Sequence, residues 1–177
     1  MIIDLEKLGK PIDISIPLRF NSPQPNAYGV EMATSAPVRA GSLIGDTRQG
    51  GSVNFEQYTF IPHCNGTHTE CVGHVLHERI SVRDCLQEVF MPALVVSVLP
   101  EEVDGERVLT RKALESAESS EAEADGFFKH GDVLALVIRT WPNEEGKLTQ
   151  EYGEKNVPAY FSPDAMQYIV DVGVRHL

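Results

Sequence analysis

The chain has 177 residues, 42% hydrophobic and 23% charged, a composition that suits a soluble globular protein with room for one domain and a sizeable core. Twenty-six acidic residues against fifteen basic ones give a net charge of −11 with no basic stripe to offset it. Nucleic acid is excluded as an expected partner, because phosphate neutralisation needs clustered Lys and Arg.

Met1 to Lys7 alternates charge and lacks the basic start and apolar core of a signal peptide. No later run approaches the roughly 20 apolar residues that span a bilayer, so no membrane partner is expected. Ile12, Ile14, Ile16 and Leu18 alternate with Asp13, Ser15 and Pro17, which predicts a half-buried strand kept at an edge by its prolines. Residues 21–52 are rich in Gly, Pro, Ser and Asn and carry no clear period, so they read as a long loop or irregular arm. Val53 to Phe60 is a strand candidate, since Phe55, Tyr58 and Phe60 favour a pleated surface. It delivers His63 to a strand end, where rigid scaffolds commonly hold their sites.

Four of the six histidines then fall between His63 and His77. The run His63-Cys64-Asn65-Gly66-Thr67-His68-Thr69-Glu70-Cys71-Val72-Gly73-His74 crowds imidazole and carboxylate in a way that indicates a divalent metal site. If Thr67 to Cys71 is extended, side chains alternate between faces, so His68 and Glu70 point the same way and can grip one ion. His63 or Cys64 returns as a third ligand if the turn pair Asn65-Gly66 reverses the chain. A fourth position is left for water, as in catalytic rather than structural zinc sites. The helical two-histidine zinc motif, with histidines four apart around a glutamate, is not formed. Gly73 beside His74 also argues against a regular helix through the run. Cys64 beside His63 admits a different chemistry, a thiol nucleophile with a lowered pKa. His77, followed by Glu78 and Arg79, reads as a solvated helix start.

Ser81 to Val89 is a short predicted helix, with Ser81 as cap and Asp84 three residues on. Met91 to Leu99 and Val133 to Ile138 are near-continuous aliphatic runs, which predict central strands covered on both faces. Thr110 to Ser119 is a second helix, and Glu115 to Asp125 an acidic, solvated stretch. His130 precedes a Gly-Asp turn and reads as a surface residue. Arg139 and Thr140, at a strand end, are candidate substrate contacts, and Trp141 reads as core packing. Residues 141–159 are polar and read as an exposed excursion. Ser162-Pro163 opens a helix with Met166, Ile169 and Val170 on its apolar face, closing at Gly173. Val174-Arg175-His176-Leu177 begins a further strand, with His176 in a structural role. Four residues are short for the strand against which a helix packs. Three cysteines, Cys64, Cys71 and Cys85, form an odd set without a C-x-x-C pair, which fits a reduced, cytoplasmic setting.

The histidine run resembles the signature of the cyclase family of metal-dependent hydrolases, which includes arylformamidases and isatin hydrolases. That pattern reads roughly His-x-Gly-Thr-His-x-Asp-x-Pro-x-His. Gly66, Thr67, His68 and His74 match in place, Glu70 stands at the aspartate, Val72 at the proline, and Cys64 at the first histidine, with His63 one residue earlier. Pro11 to Leu18 is similar to the family's opening strand, Gly131 to Thr140 to its Gly-Asp turn and strand, and Tyr160 to Ala165 with Gly173-Val174 to its following helix.

The resemblance implies a single cyclase-like domain over residues 1–177, in a swivelling β/β/α fold of the α/β class with a mixed, barrel-like sheet flanked by helices. In that family the chain continues beyond this point and supplies a further histidine and glutamate to a second metal position, so a truncated or processed chain is expected. The resemblance further implies a metal-dependent hydrolase of a carbon–nitrogen bond in a small amide, with one or two zinc or manganese ions. The expected ligands are His63, His68 and Glu70, with Cys64 as the alternative to His63. His74, matching the last motif histidine, is expected to shuttle the proton to the leaving amine. The family is oligomeric, so a homodimer or higher homo-oligomer is expected. The Asp-to-Glu change, the shifted histidine and the early end of the chain leave a second reading: a non-catalytic member that binds a metal or ligand.

Overall fold

Glycine and proline keep the first half of the chain from forming long elements. The computed structural model describes residues 9–88, 90–121 and 135–177. Ile12 to Leu18 does not pair as a strand: Pro11 and Pro17 lack amide donors, and Ile12 and Ile14 are exposed. The segment is fastened instead by the Ile16 amide, which donates to Thr67 Oγ1 at 2.9 Å.

The irregular arm carries only short strands, β1 (Asn26–Ala27), β2 (Thr34–Pro37), β3 (Arg39–Ala40) and β4 (Leu43–Ile44). Strands β3 and β4 form a hairpin around Gly41, whose φ of +59° at the first loop position is one that glycine supplies freely. The predicted strand at 53–60 appears as β5 (Glu56–Thr59), antiparallel to β2 in the register Thr34↔Thr59 to Pro37↔Glu56. Directly after it comes a single helical turn, α1 (Pro62–Asn65), with Pro62 at the first position, where a missing amide costs nothing. Ser81 caps α2 (Val82–Cys85) by accepting from the Arg83 amide at 3.2 Å. This helix ends four residues short of the Val89 expected from sequence, and Val89 itself lies outside the described residues.

The core lies in the second half. Strand β6 (Ala93–Val98) is followed by β7 (Glu101–Val103) and β8 (Glu106–Leu109), a hairpin whose Asp104-Gly105 loop has positive φ at both residues, the signature of a type I′ turn. Helix α3 (Arg111–Glu121) then leads toward β9 (Ala135–Thr140), which pairs parallel to β6 over six residues, from Ala93↔Ala135 to Val98↔Thr140. Strand β10 (Glu151–Tyr152) pairs with β1, and β11 (Tyr160–Phe161) with β8. Helix α4 (Pro163–Asp171) starts as expected, with Ser162 accepting from the Ala165 amide, and Gly173 follows at φ +87°. After it, His176 bridges to Ala135, adding the predicted strand start beside β9.

Val96, Val98, Leu109, Leu114, Leu136, Ala165 and Ile169 form the buried cluster between the β6–β9 pair and helices α3 and α4. Among the described residues β6 has only one face covered, whereas neighbouring Ala135 and Leu136 of β9 are both buried. Val95 and Leu99 are 55% and 66% exposed, so the expectation of two covered faces does not hold for β6. In α4, Ala165 and Ile169 bury, whereas Met166 and Val170 stay exposed. Glu145 to Thr149 forms a 3-10 turn within the otherwise exposed excursion. The Gly131–Leu134 turn and strand start, His130, Met1 to Lys7 and the end of the acidic stretch lie outside the described residues.

The fold is thus mixed α/β. Among the described residues the strands form five small sheets of two or three strands and none closes, so the barrel-like sheet implied by the resemblance is not present among them.

Candidate metal centre

Three local structures bring the histidine run to one place. Helix α1 carries His63, the extended segment from Thr67 carries His68 and Glu70, and a 3-10 turn over Val72–His74 carries His74. The Asn65-Gly66 pair does not form the reversing turn expected from sequence, because Asn65 is the last residue of α1. Its buried side chain accepts from the Ile61 amide at 2.7 Å and donates to the Glu31 carbonyl at 3.4 Å. That clamp closes the helical turn and fixes the direction in which His63 leaves it.

Glu70 is the hub. Its Oε2 lies 3.6 Å from His63 Nε2, 3.6 Å from His68 Nε2 and 3.8 Å from His74 Nε2. The His63 ring stacks on His74 with centroids 4.3 Å apart and planes 15° apart, and meets His68 at 4.6 Å and 51°. His68 Nδ1 lies 2.9 Å from the Gly66 carbonyl. A carbonyl only accepts, so Nδ1 carries a proton, and Nε2 is the ring nitrogen turned toward Glu70 and available to a metal.

A zinc ion with ligand bonds of about 2.0–2.2 Å in a tetrahedron separates its donor atoms by about 3.3–3.5 Å. The 3.6–3.8 Å from Glu70 to each imidazole need only a few tenths of an ångström of closure, so the carboxylate fits such an ion together with a neighbouring imidazole. By spacing, His63, Glu70 and His74 form a group whose donor atoms all lie within 4.8 Å of one another and which could hold a metal. Among the described residues no thiol joins that group: Cys64, within α1, is half-buried with its amide donating to the Ile61 carbonyl. A cavity of about 490 Å³ opens beside the cluster, lined in part by Leu76, His77, Arg79 and Ile80.

The other candidates sit elsewhere. His176 and Arg175 both pair with Glu88, His176 at 3.2 Å. Burial would raise the Glu88 carboxyl, but the hydrogen bond with His176, and next the Arg175 charge, outweigh it and hold the group below its usual range. Arg139 stacks over the Trp141 ring at 4.5 Å, with Trp141 49% exposed rather than in the core. Burial, and next the hydrogen bond it shares with Cys71, push the Cys85 thiol up.

Sequence reasoning missed two supports of the site. The Gly66 carbonyl orients His68, and the Asn65 side chain anchors α1; only the polarity of Asn65 inside a strand-to-site connection hinted at the second. A mixed α/β scaffold carrying three imidazoles around one carboxylate defines a candidate metal-binding protein. The chain belongs to the cyclase family, whose model, described as Putative cyclase, matches residues 12–177. Membership of that family points to an enzymatic role. No curated protein and no solved structure matches the chain. Among the described residues no helix is long and apolar enough to cross a membrane.

Proposed function

We propose that the protein is a metal-dependent hydrolase of a carbon–nitrogen bond in a small amide, of the arylformamidase kind, with His63, His68 and Glu70 as ligands and His74 as the proton carrier. The carrying observation is the position of Glu70, equidistant at 3.6 Å from His63 and His68, with the His68 tautomer set by the Gly66 carbonyl. Metal-ligating imidazoles are commonly oriented by such an outer hydrogen bond.

Spacing alone favours His74 over His68 as the third donor; orientation favours the reverse. The lone pair of an imidazole lies in its ring plane, so the nearly parallel, stacked His63 and His74 direct their lone pairs along separate planes. The 51° between His63 and His68 allows convergence on one ion. His74, kept near the centre by its stack, is free to move a proton to the leaving amine. A bound zinc or manganese would acidify a water and polarise the scissile carbonyl. The chain's own residues then need to aim the Glu70 carboxylate and His68 Nε2 at one position and place the amide in the adjoining cavity.

The test is elemental analysis of the purified protein followed by hydrolysis of N-formylkynurenine and simpler formamides before and after chelation. Chelator-sensitive turnover supports the reading. Protein that binds no ion tightly after metal loading overturns it. A second reading, a non-catalytic metal- or ligand-binding member, draws support from exposure: the side chains of His63, Glu70 and His74 are 44%, 51% and 47% exposed. It predicts metal binding without turnover of any amide. The open β6 face around Val95 and Leu99 is compatible with a homodimer that covers it.

A further inference from the structure

Cys71 and Cys85 carry thiols for which the proposed chemistry has no use, and the fold brings them together. Cys71 is the residue that opens the 3-10 turn over Val72–His74, and its Sγ donates to the Ile80 carbonyl at 3.4 Å. Gly73 admits the same peptide, since a Cβ there would stand 2.4 Å from Ile80 O. Residues 71–80 therefore form a loop whose ends touch. Ser81 then starts α2, and the Cys85 amide donates back to the Ser81 carbonyl at 3.3 Å. Helical side chains lean toward the helix N-terminus, so the Cys85 side chain is returned toward Ile80, where the Cys71 sulfur already sits. After burial, the neighbouring Cys71 is what pushes the Cys85 thiol up, neither cysteine is in a disulfide, and Cys85 is exposed.

We propose that Cys71 and Cys85 form an oxidisable dithiol, a modification site for low-molecular-weight disulfides, whose closure to a Cys71–Cys85 bond weakens the neighbouring metal centre. The second half rests on the metal-hydrolase reading; the first does not. In the reaction one cysteine sulfur, as thiolate, attacks a small disulfide RSSR, forming a mixed disulfide and releasing RS⁻. The other cysteine sulfur attacks the mixed disulfide, forming the Cys71–Cys85 bond and releasing the second RS⁻. The two thiols lose two electrons, RSSR gains them, and the two thiol protons leave on two RSH.

A disulfide holds its sulfurs about 2.05 Å apart, far closer than two sulfurs that are not bonded to each other. Closure therefore shifts the chain at Cys71 and removes the S–H that bonds the Ile80 carbonyl. Cys71 is covalently joined to Glu70 and opens the turn that carries His74, whereas His63 stands on α1, separately clamped by Asn65. Oxidation thus displaces Glu70 and His74 relative to His63.

The experiment treats the full chain with oxidised glutathione at mildly alkaline pH, blocks remaining thiols, and maps the digest by mass spectrometry. Zinc affinity is measured on the same samples. The expected result is a Cys71–Cys85 bond with Cys64 left free to alkylate, and zinc affinity weaker by about tenfold, a loss of the size that outer support of a metal ligand carries. Dithiothreitol restores the affinity, and Cys85→Ser binds zinc normally but no longer responds to the oxidant. A persistent glutathione adduct on Cys85, a bond through Cys64, or no reaction overturns the dithiol assignment. A Cys71–Cys85 bond with unchanged zinc affinity overturns its regulatory half. Reduced protein that binds no zinc overturns the hydrolase reading, while the mapped disulfide, present or absent, still decides the dithiol assignment.

Discussion

His68 and Glu70 stand two residues apart on an extended segment, and their side chains meet with Nε2 and Oε2 3.6 Å apart. The relationship follows from the alternation of an extended chain, and it puts the only carboxylate of the cluster within reach of three imidazoles. Replacing Glu70 by Gln keeps the shape and removes the charge. Zinc affinity measured by competition with a chromogenic chelator is expected to fall about 100-fold for Glu70→Gln, at the upper end of losses seen around metal ligands. Glu70→Asp, which restores the carboxylate type of the family pattern, is expected to stay within about tenfold of the parent. Equal loss in both variants would show that the carboxylate charge is not what holds the ion.

Asn65 is fully buried, with its amide shared between the Ile61 amide and the Glu31 carbonyl. Asn65→Ala leaves the Ile61 amide without its acceptor inside the fold. The expected cost is about 1–3 kcal/mol, the desolvation penalty of an unsatisfied buried group, read from chemical denaturation. Because the clamp also orients His63, zinc affinity is expected to weaken with stability. A variant that loses stability and keeps its zinc affinity would separate the anchor from the site.

The site was more legible in the sequence than the scaffold, for physical reasons. Alternation along an extended run is a local property, so the meeting of His68 with Glu70 could be read from their spacing. The role of Asn65 could not, because a turn pair and the end of a helical turn use the same residue and only the contact with distant Glu31 distinguishes them. Similarly, the aliphatic run of β6 reads as a strand covered on both faces, yet it is the Leu94, Val96 and Val98 side that packs into the core with α3 and α4, and nothing local encodes what lies over Val95. The β7–β8 hairpin was missed although Asp104-Gly105 is a strong turn pair, because its flanking segments are too short and charged to show a period.

Asp46 is buried beside Arg48, whose guanidinium bonds both carboxylate oxygens at 2.9 and 3.0 Å and holds the carboxyl far below its usual range. A folded-state pKa below the unfolded value means the ionised form is favoured by folding. This contribution is complete above about pH 4, the ordinary aspartate range, and is lost as the pH falls from there through the depressed folded value. Asp46→Asn retains a good cap for the following 3-10 turn but not the charge. The thermal midpoint of the variant should lie below the parent at neutral pH, with the gap closing under acid conditions. A gap independent of pH would assign the effect of Asp46 to its hydrogen bonds alone.

Gly73 tests whether the loop after Glu70 must close for the site to form. A Cβ at this position would come within 2.4 Å of the Ile80 oxygen and 2.9 Å of its nitrogen, both backbone atoms that cannot rotate away. Gly73→Ala therefore forces the 71–80 loop apart, at about 1–3 kcal/mol, the usual cost of overpacking a close contact. The strain falls between Cys71 and Ile80, so it also withdraws His74 from its stack on His63. If His74 carries the proton while His63, His68 and Glu70 hold the ion, the variant should lose turnover of formamides by a much larger factor than it loses zinc affinity. If His74 is itself a ligand, zinc affinity and turnover should fall together. Measuring both on one preparation decides between the stacked ring as proton carrier and the stacked ring as donor.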